Sequence, residues 1–197
     1  MSDRLRPAIP GHLMIHNQEG NLVGDVEPSG FEGVLRYHPA ATQLYCAVLA
    51  HYGRGYRDFL EIGTGDLIST AVFAAMARMM QGRVWSIDIK DIPNKAGVQP
   101  VTYIVSDSLA VEWNQMVDVL YVDGCHEAEH VRKELAKYAK YVWRGGMILM
   151  DDMRHLESPT ELEAVADEFC DKWGLKWKYC APLPNKIIAI EVDRRIG

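Results

Sequence analysis

This chain has little that would tie it to a zinc cluster, a membrane or a nucleic acid. Its four cysteines, Cys46, Cys125, Cys170 and Cys180, include no C-x-x-C pair, so the spacing of a zinc site or a dithiol redox motif is missing. Reduced thiols in a cytoplasmic protein are expected. The most apolar stretch, residues 71–80, is too short and interrupted to span a bilayer. The first residues hold no long apolar run, and no signal peptide is expected. Lys and Arg number 21 against 27 Asp and Glu, a net charge of −6. That leaves no electrostatic case for a nucleic-acid or anionic-membrane partner. Neither an internal repeat nor a low-complexity tract is present.

What remains is ordinary globular material: 197 residues, 48% of them hydrophobic, enough for one domain with an ample core. Residues 1–40 carry several Gly and Pro without a sustained period. They read as an arm or lid, with short strands around Leu13-Met14-Ile15, and the arm could pack on a second copy of the chain. Residues 41–197 read as the domain proper. A helix is expected over 41–52, ended by Gly53 and Gly55, then a strand over 56–62 and a helix over 69–80 with Ser69 or Thr70 near its cap. Strands are expected over 83–89, 101–105 and 119–122, and a helix over 127–141. Arg144-Gly145-Gly146 reads as a turn into a fifth strand. A helix over 159–173 stops at Gly174, and strands over 175–180 and 186–192 form a terminal hairpin around residues 181–185. Alternating strand and helix predicts an α/β fold: a doubly wound, mostly parallel seven-stranded sheet ending in an antiparallel hairpin.

Two of these strands run straight into carboxylates. One is Asp118-Val119-Leu120-Tyr121-Val122-Asp123, continuing Gly124-Cys125-His126. The other is Gly146-Met147-Ile148-Leu149-Met150-Asp151-Asp152. An apolar strand is buried, and a carboxylate buried without a partner is costly. Three acids at neighbouring strand ends also repel one another unless a cation or a proton sits between them. A divalent metal at the carboxyl edge of the sheet, with His126 beside it, is the economical explanation. Singly, each acid is also a turn or cap residue, and His126 could cap the helix that begins near Glu127.

The first strand leads into Glu61-Ile62-Gly63-Thr64-Gly65-Asp66. Glycines here allow a sharp turn and a close approach of ligand to backbone. The dinucleotide form needs a third glycine where Ile68 stands, and the phosphate-loop form needs a Lys that is missing. Glu61 is ill suited to a pyrophosphate and suits a cationic group such as an amine. Asp88 ends the second strand, where a carboxylate can accept both hydroxyls of a ribose. Asp107, with Ser108, follows the third, where an adenine amino group can be read.

Glu61-Ile62-Gly63-Thr64-Gly65, Asp88 and Asp107 resemble the signature of class I S-adenosylmethionine-dependent methyltransferases over residues 56–192. The resemblance implies a Rossmann-like fold in which the glycine loop (Gly63, Thr64, Gly65) and Glu61 hold the methionine part and Asp88 the ribose, while Asp107 lies near the adenine; Ser108 is among the cofactor-binding residues. Asp123 borders the same ligand. Leu67 departs from the pattern, since many members have a third glycine there, and a tighter loop is expected. Asp123-Gly124-Cys125-His126 followed by Asp151-Asp152 is similar to the metal-dependent O-methyltransferases of the catechol and antibiotic-sugar types. That likeness implies Mg²⁺ or another divalent cation on Asp123, Asp151 and Asp152, and His126 as general base. The acceptor expected is a small molecule with adjacent oxygens. The readings from other classes are a NAD-dependent oxidoreductase, opposed by the missing glycine and by Glu61, and a non-catalytic cofactor-binding domain. Cys125 reads as a packed small residue, His130 as surface or core, and Trp113, Trp143, Trp173 and Trp177 as structural aromatics. Arg154, His155, Asn185 and Lys186 could reach the pocket.

Overall fold

The computed structural model describes residues 13–16, 22–26, 40–92, 98–153, 161–180 and 186–197. Arg154, His155 and the hairpin loop 181–185, Asn185 included, lie outside them. Strands β1 (Leu13–His16) and β2 (Leu22–Val26) pair antiparallel as a separate two-stranded sheet, which agrees with short strands in the N-terminal region.

The remaining elements alternate as expected: α1 (Ala40–Gly53), β3 (Asp58–Ile62), α2 (Ile68–Met80), β4 (Arg83–Asp88), β5 (Thr102–Val105), β6 (Val117–Val122), α3 (Ala128–Tyr138), β7 (Val142–Met150), α4 (Glu161–Trp173), β8 (Trp177–Tyr179) and β9 (Ile188–Glu191). A 3-10 turn, Ala139–Tyr141, closes α3. The seven strands from β3 onward form one sheet in the order β5-β4-β3-β6-β7-β9-β8. The first five are parallel, and β9 pairs antiparallel with both β7 and β8. This is the expected sheet. Two details differ. The Arg144-Gly145-Gly146 segment lies inside β7 as an irregularity, where the register jumps from Val117↔Val142 to Val119↔Met147. The α2 helix has Leu67 as its N-cap, with no side-chain cap; the Ser69 and Thr70 hydroxyls are spent elsewhere.

Side chains alternate across a strand, and both faces of a parallel sheet are covered. Phe59, Val119, Tyr121, Leu149 and Ala189 point to one face, packed with Leu49, Val72 and Phe73 of α1 and α2. Leu60, Ile62, Leu120, Val122, Ile148 and Ile190 point to the other, packed with Val131 and Leu135 of α3 and Val165 and Phe169 of α4. Trp113 belongs to that second core at 8% exposure, whereas Trp143 is 52% exposed. The α4 helix stops at Gly174, φ 63, and the Leu175 N–H returns to the Cys170 carbonyl, the glycine stop seen in the sequence. All four cysteines are unpaired. Among the described residues no helix is long and apolar enough to cross a membrane.

Strand order reverses between β3 and β6, so the crevice for a ligand lies above that pair. The Asp123 N–H donates to the Ile62 carbonyl, and the Asp151 N–H to the Val122 carbonyl. These bonds align the ends of β3, β6 and β7. Asp107, Asp88, Gly63, Asp123 and Asp151 therefore follow one another along a single sheet edge.

Candidate functional site

Two cavities open on that edge. The larger, about 690 Å³, is lined by Gly63, Gly65, Asp88, Ile89, Ser106, Asp107, Ser108, Asp123, Cys125, His130 and Glu134. The smaller, about 350 Å³, is lined by Tyr45, Gly63, Gly65, Asp66, Asp123, Asp151, Asp152 and Lys186. Gly63, Gly65 and Asp123 belong to both, so the two spaces meet above the β3–β6 junction. Both volumes are within the range of small-molecule sites.

Close chain packing creates this junction. Gly63 has φ 93, and a Cβ there would lie 2.1 Å from the Asp123 carbonyl oxygen and 2.7 Å from Gly124 Cα. Only glycine lets the end of β3 lie against the end of β6. The loop is then latched to β4: Asp88 Oδ2 accepts the N–H groups of Thr64 at 2.9 Å and Gly65 at 3.2 Å, and Oδ1 accepts that of Lys90 at 2.8 Å. Asp88 lines the larger cavity, with its carboxylate also holding the glycine loop. Leu67, at the departing position, has φ 71. A leucine there takes the left-handed backbone that a glycine would take without strain.

Glu61 sits behind the loop, not in either cavity. It is fully buried and accepts hydrogen bonds from Ser69 Oγ at 2.6 Å, Thr70 Oγ1 at 2.6 Å and Ser86 Oγ at 2.5 Å. Three hydroxyls thus fill the place that the sequence reading gave to a ligand amine, and they tie α2 and β4 to the root of the glycine loop. Burial raises the Glu61 pKa to about 7, against the pull of those hydroxyls. A carboxyl that binds its proton more tightly when folded makes stability rise as pH falls from above about 7 toward its ordinary value near 4.5. Relative to Glu61→Gln, the wild type is therefore expected to gain of order 3 kcal/mol between pH 8 and pH 5. Urea titrations of both proteins across that range check it, and a pH-independent difference between them refutes it.

Asp107 and Ser108 lie at the far end of the larger cavity. Asp107 Oδ1 accepts the Leu109 N–H at 2.8 Å. Ser108 is buried and donates to Glu134 Oε1 at 2.6 Å. His130 lines the same cavity, 3.3 Å from Glu134 Oε1, and so has a place at the site rather than a purely structural one. Cys125 also lines it, half-buried.

At the other end Asp123 and Asp152 meet at His126, and Asp151 stands next to Asp152. His126 Nε2 lies 3.8 Å from Asp123 Oδ1 and 3.5 Å from Asp152 Oδ2. It does not cap α3, whose N-cap is Glu127 with no side-chain cap. Asp152 has φ 50, a conformation Asp tolerates better than most residues. The ligand atoms of Asp123, His126 and Asp152 all lie within 4.8 Å of one another. Asp151 is held differently: it is buried, it accepts from the Tyr121 hydroxyl at 2.6 Å, and it pairs with Lys186 Nζ at 3.1 Å. Lys186 Nζ also lies 2.7 Å from Asp152 Oδ1. Tyr121 lies 3.1 Å from Asp123 Oδ2 and is hydrogen-bonded to the Tyr45 hydroxyl. The pKa directions match this crowding. Burial, then Asp151 and Asp152, raise Asp123 against the pull of His126. The Asp123 contact raises His126. Burial would lower Lys186, but Asp151 and Asp152 outweigh it.

Lys186 and Tyr45 were under-read from sequence. Lys186 lies two residues before the antiparallel strand β9, which pairs with β7 from Ile188 opposite Met150. An antiparallel strand brings its beginning, not its end, to the carboxyl edge of its neighbours. A terminal hairpin after a parallel sheet was the signal that could have found it. Tyr45 comes from α1, outside the strand-end pattern altogether.

With this geometry fixed, residues 60–153 match a family model described as a methyltransferase domain. The matched segment is similar to methyltransferase domains. No curated protein matches the sequence. Solved structures share its fold at low identity. MycE, a methyltransferase from the mycinamycin biosynthetic pathway crystallised with Mg and SAH, aligns with a TM-score of 0.56 and 19% identity, covering 76% of this chain and 48% of MycE. The 1,6-didemethyltoxoflavin-N1-methyltransferase of Burkholderia thailandensis gives a TM-score of 0.57 at 17% identity, covering 82% of each chain. A Clostridium thermocellum protein described as a candidate rRNA methylase gives 0.60 at 16% identity, covering 80% of this chain and 98% of its own. The substrates and pathways named for these proteins differ, so the shared fold by itself names no acceptor.

Proposed function

We propose that this chain transfers a methyl group from S-adenosylmethionine to a hydroxyl of a small molecule bearing adjacent oxygens, with a divalent cation, Mg²⁺ or a close equivalent, at the acceptor. One observation carries the reading: a nucleoside-sized cavity and a smaller, acid-lined cavity share Gly63 and Asp123. The acid lining would repel a phosphate backbone and suits a compact, neutral acceptor.

Asp123, Asp152 and Asp151 supply hard oxygen donors of the kind Mg²⁺ takes, and the donor atoms of Asp123 and Asp152 already lie within one ion's reach. When bound, such a cation polarises an acceptor oxygen, and the sulfonium donor supplies an activated methyl group. The chain's own residues do the rest. Asp88, Ser106, Asp107 and the Gly63–Gly65 backbone face the donor cavity and fix orientation there. Tyr45, through Tyr121, and Lys186 hold Asp151 and Asp152 in place. His126 accepts the hydroxyl proton. Asp123 raises its pKa in the metal-free protein, and since a base must be neutral to act, activity falls as pH drops through the His126 pKa. The placement of its Nε2 within the acid cluster favours a second reading, in which His126 is a ligand.

Calorimetry tests the first layer. S-adenosylhomocysteine is expected to bind the full chain, and no heat at millimolar ligand removes the methyl-donor reading. His126→Gln divides the two roles. A base predicts kcat lower by about 10²-fold or more with Mn²⁺ affinity unchanged. A ligand predicts Mn²⁺ affinity lower by about tenfold or more. If kcat, measured with an identified acceptor, and Mn²⁺ affinity both stay at the wild-type level, His126 has neither role.

A further inference from the structure

The acid cluster at the smaller cavity already holds a cation that belongs to the chain. Lys186 Nζ lies 3.1 Å from Asp151 Oδ1 and 2.7 Å from Asp152 Oδ1, with 42% of its side chain exposed. Its ammonium also stands 5.4 Å from the centre of the Tyr45 ring, within reach of a cation–π contact. The Met153 N–H donates to the Lys186 carbonyl at 3.0 Å, which fixes the backbone of Lys186 next to the acids. Lys186 lines the cavity together with Asp123, Asp151 and Asp152. A half-exposed ion pair contributes little to stability, so stability alone gives small reason for a lysine at this position.

The oxygens of the cluster are divided. Asp152 turns Oδ2 toward His126 Nε2, at 3.5 Å, and Oδ1 toward Lys186. Asp151 Oδ2 accepts from the Tyr121 hydroxyl at 2.6 Å, while Oδ1 accepts the Asp152 N–H at 2.7 Å and pairs with Lys186. Asp123, His126 and Asp152 offer ligand atoms within 4.8 Å of one another, so Asp152 is common to that group and to Lys186. A divalent ion in the group and the ammonium would draw on one carboxylate from its two ends. Two cations on one carboxylate repel each other, and each is held less strongly than it would be alone. The charge count agrees. Three carboxylates exceed one ammonium by two charges, the charge of the ion. Without the ammonium the cluster has one negative charge more than a divalent ion neutralises.

We infer that Lys186 sets the affinity of the divalent-cation centre: its ammonium is a resident counter-ion that shares Asp152 with the ion and keeps that ion weakly held. This rests on the divalent-cation reading above and adds an affinity determinant to it. Lys186 also orders the two acids, and loss of order would weaken metal binding. Repulsion outweighs that effect, because Asp151 stays tied to the Tyr121 hydroxyl and to the Asp152 N–H without any lysine. The two effects have opposite signs, so one measurement separates them. An ion held in this way stays exchangeable, in keeping with Mg²⁺, which binds through few carboxylates and keeps several waters.

The experiment is calorimetry with Mn²⁺ on the full chain, comparing wild type with Lys186→Met, Lys186→Gln and Lys186→Arg. Both neutral variants are expected to bind Mn²⁺ about tenfold or more tightly than wild type, since a unit charge close to a divalent ion is removed. Lys186→Arg keeps the charge and is expected to stay within about threefold of wild type. Neutral variants that bind Mn²⁺ as the wild type does, or more weakly, overturn the inference and leave Lys186 as a clamp on the acids. Lys186→Arg tightening as much as Lys186→Met also overturns it, because charge would then not be the cause. A wild type that shows no binding at millimolar Mn²⁺ beside a Lys186→Met protein that does bind supports the inference. If wild type and all three variants bind no Mn²⁺, the divalent-cation reading falls and this inference with it, whereas wild-type binding with unmoved neutral variants removes only the inference. Should Lys186→Met fail to fold, Lys186→Gln, whose amide still donates to Asp152, decides against Lys186→Arg in the same way.

Discussion

Gly63→Ala is expected to destabilise the protein by about 4 kcal/mol or more, at the upper end of single-substitution effects. The added Cβ would meet the Asp123 carbonyl oxygen at 2.1 Å and its carbon at 2.5 Å, both backbone atoms, at φ 93. Neither strand can yield easily. The end of β3 is tied by the Gly63 N–H to the Ile87 carbonyl, and the end of β6 by the Asp123 N–H to the Ile62 carbonyl. For a chain of this size the loss corresponds to a Tm lower by roughly 10 °C or more. Gly65→Ala is the control. That glycine also has a positive φ, 50, but nothing lies within 4 Å of its Cβ, so only backbone strain of about 1 kcal/mol is expected. Thermal melts of the two variants separate crowding from strain. Equal losses would mean that the close approach of β3 to β6 is not what Gly63 provides.

Asp123→Asn is expected to lower kcat/KM by about 10³-fold or more once an acceptor is in hand, because one residue serves both halves of the site. Asp123 borders both cavities. It faces His126 and shares the Tyr121 hydroxyl with Asp151. An amide keeps the shape, so donor binding is expected to survive while divalent-cation affinity falls by about tenfold or more. Calorimetry with S-adenosylhomocysteine and with Mn²⁺ reads the two separately. A variant that loses the nucleoside ligand but keeps the metal would place Asp123 on the donor side only.

Much of this was legible in the sequence. Apolar runs ending in Asp88, Asp123 and Asp151 could only be buried parallel strands, and such strands deliver their last residues to one edge. Strand order then set the acids side by side. The hidden parts have physical reasons. Glu61 was read as facing a ligand because a strand-end acid is exposed to the crevice by default; the three hydroxyls that enclose it come from α2 and β4, and no local pattern announces them. Lys186 reaches the acids because the last strands run antiparallel, which inverts the end that counts. Glu134 lies among Arg132, Lys133 and Lys137, in a run that reads as a solvated helix face, and only the packing of α3 against the segment after β5, at Ser108 and Leu109, makes it a buried one. Leu67 occupies a position that favours glycine, and the structure tolerates it in a left-handed conformation.

The central claim is that a donor cavity and an acid-lined acceptor cavity meet at Gly63 and Asp123. A crystal structure of the full chain with S-adenosylhomocysteine and Mn²⁺ tests it most directly. The account predicts the nucleoside in the larger cavity, its base beside Asp107 and Ser108, its sulfur near the Gly63–Asp123 junction, and anomalous density for manganese at Asp123 and Asp152. A nucleoside seated among Asp151, Asp152 and Lys186, or neither ligand bound under saturating conditions, would contradict it.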